Sequence, residues 1–203
     1  MAKDKFLVCV VLDETGSMYS IKDDTIGGYN EYIDSLRDQK NTKVLLVRFN
    51  SNEIKVGEIT SIKDATELTD KNYTPQAATP LYDAIAKAVY EVENVERNRH
   101  IIFAILTDGL ENASREYNKK LIFEIIKDKT GEGWKFVYLG ANQDAFAVGA
   151  GLGIAKGNVL NYDTGKIGET LNIMTSSTRR YMQDPSKKLS EDYFDDEDRE
   201  KVK

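Results

Sequence analysis
The chain has 203 residues and a formal net charge of −6, with 28 Lys and Arg against 34 Asp and Glu. That length suits one domain able to bury a sizeable core, and the negative balance argues against broad, salt-driven binding to nucleic acid. A single cysteine, Cys9, excludes an internal disulfide and fits a reducing compartment. No apolar run approaches the roughly 20 residues of a membrane span. The short run after Lys3 and Lys5 ends in Asp13-Glu14 without an Ala-x-Ala site, so neither a signal peptide nor a membrane partner is expected. The expected location is cytoplasmic.

Phe6–Leu12 is uninterrupted apolar, the pattern of a strand covered on both faces. A helix follows through Ile26, Tyr29, Ile33 and Leu36, with Gly27-Gly28 inside it suggesting close packing on the sheet. Val44–Phe49 reads as a second strand, and Asn50-Ser51-Asn52 is short enough to return the alternating stretch around Glu53–Ile59 antiparallel to it. Residues 63–78 are polar loop. Thr79-Pro80-Leu81 opens a helix to about Val92, with Thr79 at the cap. His100–Thr107 is the next strongly apolar strand, ending in Asp108-Gly109. A helix over 115–127, a strand Lys135–Leu139, a short helix near Ala145, a brief strand near Val159 and a last helix over 165–182 complete the order. Strands alternating with helices predict a doubly wound, Rossmann-like α/β fold, with a mostly parallel sheet, one antiparallel edge strand and helices on both faces. The domain is expected over 1–184. Residues 185–203, acidic with Tyr193 and Phe194 embedded, are expected to form a flexible tail.

Asp13-Glu14-Thr15-Gly16-Ser17 carries most of the functional signal. Residues two apart in an extended or tightly turning segment point the same way, so Asp13, Thr15 and Ser17 can aim their oxygens at one point. Ligands of open α/β sheets bind outside the carboxyl ends of the strands. Asp108 ends another core strand, and Thr79 lies one helix upstream of it, so right-handed crossover returns Thr79 to the same rim. Five oxygen side chains with no His or Cys among them suit Mg²⁺, or Mn²⁺, rather than zinc. His100, the single histidine, starts a strand at the opposite rim and so makes no triad with Ser17. Gly149–Gly153 follows no strong first strand and matches a dinucleotide fingerprint poorly. Glu14 is expected to be solvated, Met18 to be exposed on the rim, Cys9 to fill core and Trp134 to anchor packing.

Asp-x-Thr-Gly-Ser-Met after the first strand, Thr-Pro-Leu-Tyr-Asp-Ala-Ile before a helix, and Leu-Thr-Asp-Gly after a later strand resemble the von Willebrand factor A family over residues 5–180. Its metal-ion-dependent adhesion site runs Asp-x-Ser-x-Ser, then Thr, then Asp, and Thr15 replaces the first serine while keeping its hydroxyl. The resemblance implies a non-enzymatic protein-binding module of the short, stand-alone bacterial or phage kind. The hydroxyls of Thr15, Ser17 and Thr79 would bind Mg²⁺ directly and Asp13 and Asp108 through water, with one position left for an Asp or Glu side chain of a protein partner. Two alternatives remain: an assembly component using its sheet edges and tail, and a haloacid-dehalogenase-like phosphotransferase with Asp13 as nucleophile. The second lacks that family's downstream acidic motif and leaves Thr79-Pro80-Leu81 unexplained.

Overall fold
The computed structural model describes residues 4–94, 99–141, 144–188 and 192–202. Its first strand, β1 (Phe6–Asp13), is buried along its whole length. Phe6, Val8, Val10 and Leu12 enter one apolar cluster, while Leu7, Cys9 and Val11 enter another. That is the two-residue period of a strand sandwiched between layers. The remaining elements are α1 (Lys22–Leu36), β2 (Thr42–Phe49), β3 (Ile54–Val56), β4 (Thr60–Ser61), α2 (Leu81–Glu93), β5 (His100–Thr107), α3 (Lys119–Gly131), β6 (Lys135–Ala141), α4 (Ala145–Gly151), β7 (Val159–Tyr162), α5 (Ile167–Gln183), α6 (Pro185–Lys188) and α7 (Asp196–Lys201). They build a seven-stranded sheet in the order β3-β2-β1-β5-β6-β7, with β4 also paired to β2. β1, β2, β5, β6 and β7 run parallel. Helices α1 and α5 cover one face, and α2, α3 and α4 the other. The doubly wound α/β expectation therefore holds, and β1 and β5 are central neighbours. Among the described residues no helix is long and apolar enough to cross a membrane.

Four local departures have physical causes. The antiparallel edge comes as two short pieces, β3 and β4, because Gly57 turns inward and its N–H donates to Leu46 O at 2.9 Å. Thr79 does not cap α2. Pro80 occupies the cap position, and the first amides of the helix donate to the side chains of Glu111 and Ser114 instead. Helix α3 begins at Lys119 rather than near 115, because the amides of Arg115, Glu116 and Tyr117 are held by the Asp83 carboxylate and Asn118 caps the helix that follows. Gly28 serves close packing, but against α5 rather than the sheet: a β-carbon there would lie 2.6 Å from Leu171 Cδ1. Trp134 is buried against Phe103 and Phe136, and Cys9 is core.

The expected flexible tail from Pro185 meets a different arrangement over 192–202; residues 189–191 and 203 of that expectation lie outside the described residues. Tyr193 and Phe194 are buried, their amides both donate to Gly157 O at 3.0 Å, and the Tyr193 hydroxyl reaches Thr178 Oγ1. Arg180 of α5 bonds the carboxylates of Asp195 and Asp198, and those two acids cap α7 reciprocally. The acidic composition signalled a solvated segment. Two aromatic side chains, each able to contribute roughly 1.5–3 kcal/mol on burial, and one arginine outweigh it.

The Gly27-Gly28 pair separates packing from propensity. Gly28→Val should lower the free energy of unfolding by about 1–3 kcal/mol through overpacking against Leu171. Gly27, with open space around its α-carbon, should gain up to about 1 kcal/mol on change to Ala. Urea unfolding of both variants checks the opposite signs.

Candidate metal centre
The parallel pairing of β1 with β5 puts Asp13 and the Thr107-Asp108 pair at one rim of the sheet. The backbone then zips a third segment onto them. The Tyr73 hydroxyl donates to Asp13 O at 2.7 Å, Gln76 N to Glu14 O at 3.0 Å, and Gly16 N to Ala77 O at 3.0 Å. Ser51, in the turn after β2, clamps Ala78 from the other side through its amide and hydroxyl. Ala77 takes φ 63°, the one non-glycine residue with positive φ among those described. That left-handed step, unfavourable for a side chain, brings the chain up to Thr79.

The five side chains singled out from the sequence all lie on this rim. Asp13 Oδ1 accepts from Thr15 N at 2.7 Å and its Oδ2 from Thr107 Oγ1 at 2.5 Å. Thr15 Oγ1 stands 3.3 Å from Ser17 Oγ, which donates to Asp108 Oδ1 at 2.5 Å. Thr79 joins them across Gly109: a β-carbon at that glycine would meet Thr79 Oγ1 at 3.3 Å and Ser17 Oγ at 3.6 Å. Gly109 thus leaves the space into which the two hydroxyls converge. Among the described residues no three carboxylate, imidazole or thiol side chains come together as a metal site. The donor set here is of another kind, with two carboxylates and three hydroxyls.

Several residues that hold the site were not singled out from the sequence. Thr107 orients Asp13 and also accepts from Gly109 N at 3.1 Å. Asn112 fixes Thr79 by a reciprocal pair: its Oδ1 accepts from Thr79 N at 2.8 Å and its own N donates to Thr79 O at 3.0 Å. Glu111 folds the loop after Asp108 by accepting from Ala113 N, Ser114 N, Ser114 Oγ and Tyr82 N. Two expectations are corrected. Glu14 is 1% exposed rather than solvated. It accepts from Thr74 N at 2.6 Å and lies 3.6 Å from Arg48 and 3.9 Å from Lys55, so a structural ion cluster drew it inward. Met18 is fully buried under the turn, and Tyr19 takes the exposed position instead.

The electrostatics of the rim follow from burial. Asp13 is pushed up to about 6, first by burial; hydrogen bonds from Thr107 and Thr15 pull the other way, and the Asp108 charge adds to the rise. Asp108 is also raised, by burial, against the bond from Ser17. Among the described residues neither carboxylate has a Lys, Arg or His partner, since Arg48 and Lys55 face Glu14. Two carboxylates drawn out of water without a counter-charge are costly when ionised. Hard oxygen donors around such a pair fit a divalent cation better than they fit any neutral group.

No family model matches the chain, and no curated protein matches it. Solved structures do. The von Willebrand factor domain of the type V pili tip protein Mfa5 from Porphyromonas gingivalis is 10% identical, with 90% of this chain and 98% of that one covered and a TM-score of 0.66. The pilus adhesin SpaC from Lactobacillus rhamnosus GG is 13% identical, with 86% and 30% covered and a TM-score of 0.67. Proximal thread matrix protein 1 from the mussel byssus, in a form described as having a zinc-occupied MIDAS motif, is 15% identical, with 84% and 47% covered and a TM-score of 0.57. The chain thus spans less than half the length of the byssus protein and under a third of the adhesin. At these identities the likeness concerns the fold alone, which the chain shares with that von Willebrand factor domain.

The raised Asp13 value gives a signed pH dependence. A group with a folded value above its unfolded one favours folding while protonated. Its contribution is complete below the unfolded value near 3.8 and is lost as pH rises through about 6. Urea unfolding in EDTA should therefore show stability falling between pH 4 and 7 by up to roughly 3 kcal/mol from this group. Asp13→Asn should flatten that slope.

Proposed function
We propose that the chain is a non-enzymatic protein-interaction module whose rim takes up Mg²⁺, or Mn²⁺, and through it a carboxylate of a partner protein. The observation that carries this reading is the pair of buried carboxylates, Asp13 and Asp108, without a basic partner among the described residues and ringed by three hydroxyls from two loops. Thr15, Ser17 and Thr79 would ligate the metal directly. Asp13 and Asp108 would act through water, with the Ser17 proton directed to Asp108 while its lone pair faces the ion. With few direct anionic ligands the cation keeps its affinity for an incoming Asp or Glu. The descriptions of the structural neighbours, pilus adhesins and a matrix protein with a metal-occupied site, support an interaction role.

The surface around the rim supports a protein rather than a small-molecule ligand. Tyr19, 72% exposed, lies two residues beyond Ser17, and Leu110, 59% exposed, lies two residues beyond Asp108. Exposed large apolar side chains beside a charged centre are the makings of an interface with an anchoring charge and apolar flanks. The reading keeps the domain as 1–184 for its core function, with 192–202 as an added clasp. It also keeps a cytoplasmic location, for which cell fractionation is the test.

Isothermal titration of the metal-stripped protein should show one saturable site for Mg²⁺ or Mn²⁺. The affinity should fall more than about tenfold in Asp13→Ala, Ser17→Ala, Thr79→Ala and Asp108→Ala. Partner capture should disappear on adding EDTA. Tyr19→Ser and Leu110→Ser should each weaken partner binding by more than about 1 kcal/mol and leave the metal titration unchanged. A wild-type protein that takes up neither ion would overturn the reading.

A further inference from the structure
Strand register places a residue that none of the motifs includes directly beneath the metal centre. Leu106, Leu139 and Leu160 are register partners across β5, β6 and β7, and all three enter the cluster under α1 and α5. One step toward the rim on the same face, Ala141 and Tyr162 are again paired, and the β5–β6 register continued one residue past Thr107↔Gly140 sets Asp108 in the same row. Two strand spacings, about 10 Å, separate the backbones of Asp108 and Tyr162. The residue between them in that row is Ala141, whose small side chain leaves the phenol room to lean toward the carboxylate.

Tyr162 is 2% exposed, and its hydroxyl has no hydrogen-bond partner among the described residues. A buried phenol normally finds one. Its neighbour under the rim, Tyr73, does so by donating to Asp13 O. The charges of Asp108 and Asp13, Asp108 foremost, both bear on the Tyr162 hydroxyl after burial itself, and Tyr162 in turn bears on Tyr73. The hydroxyl is therefore within electrostatic reach of both acids. Ser17 already occupies Asp108 Oδ1, and a carboxylate can accept several further bonds.

We propose that Tyr162 is a positioning residue of the metal centre, donating through one bridging water to the Asp108 carboxylate. This rests on the metal-binding reading above. The bond orients Asp108 for the Ser17 hydroxyl and for metal-bound water. The phenol has no partner of its own among the described residues, so its hydroxyl serves the site and not the stability of the metal-free chain.

The test is Tyr162→Phe in the full chain, with Tyr181→Phe as control. Tyr181 is another buried tyrosine whose hydroxyl has no partner among the described residues, and it lies against Lys135 at the start of β6, the far end of the sheet. Mn²⁺ affinity is read by calorimetry and metal-free stability by urea unfolding in EDTA. Tyr162→Phe should weaken Mn²⁺ binding about tenfold with metal-free stability unchanged or raised, and Tyr181→Phe should leave Mn²⁺ binding as in wild type. Wild-type affinity in Tyr162→Phe overturns the inference alone. A loss of metal-free stability in Tyr162→Phe makes the hydroxyl structural and also overturns it. If the unsubstituted protein takes up no Mn²⁺, the metal reading fails and the inference falls with it.

Discussion

Two carboxylates buried side by side at the ends of the central strands govern the architecture of this rim. Asp13 and Asp108 cannot both ionise in a dry setting without a compensating charge, and no basic side chain among the described residues supplies it. What surrounds them instead is a shell of neutral donors: Thr15 N, the Thr107 hydroxyl and the Ser17 hydroxyl. These donors soften the cost without removing it. Two basic residues of the neighbouring strands, Arg48 of β2 and Lys55 of β3, are spent on Glu14, one residue from Asp13. Neighbouring acids are thus sorted into one that is neutralised by the protein and two that are left for something else.

Much of this was legible in the chain. The uninterrupted apolar run Phe6–Leu12 and the apolar run ending at Asp108 identified the two central strands, because strands covered on both faces are apolar at every position. The spacing of Asp13, Thr15 and Ser17 identified one loop, and the crossover rule brought Thr79 to it. Positions governed by tertiary partners were not legible. Arg115–Tyr117 have helix-compatible sequence, but the Asp83 carboxylate, more than thirty residues earlier, holds their amides outside the helix. Tyr193 and Phe194 sit in a run that composition assigns to solvent, yet α5 and Gly157 offer them a place.

The same division holds within the site. Asn112 and Glu111 fix the loops as firmly as any ligand, but an Asn three residues and a Glu two residues after an Asp-Gly turn carry no recognisable signature. Only the fold shows that Asn112 answers the backbone of Thr79 in both directions. Met18 turned inward and Tyr19 outward because the turn carrying Ser17 is a tight 3-10 helix. Three residues per turn rather than an extended period decides which of two adjacent side chains faces inward.

The edges of the sheet limit how this protein can meet another. One edge is broken into β3 and β4, three and two residues long, where Gly57 folds back onto Leu46. At the other, β7 is bracketed by the C-terminal segment: Gly157 O, just before it, receives the amides of Tyr193 and Phe194, and the amide of Asp163, just after it, donates to Val202 O. Neither edge offers the long, regular row of backbone groups on which a foreign polypeptide could lay down an extra strand. Growth by strand addition, the route by which many sheet proteins polymerise or clasp extended peptides, is therefore closed off at both sides. In the proposed function, contact falls to side chains and to the loop-built rim, where its strength would be subject to ionic conditions rather than to backbone pairing.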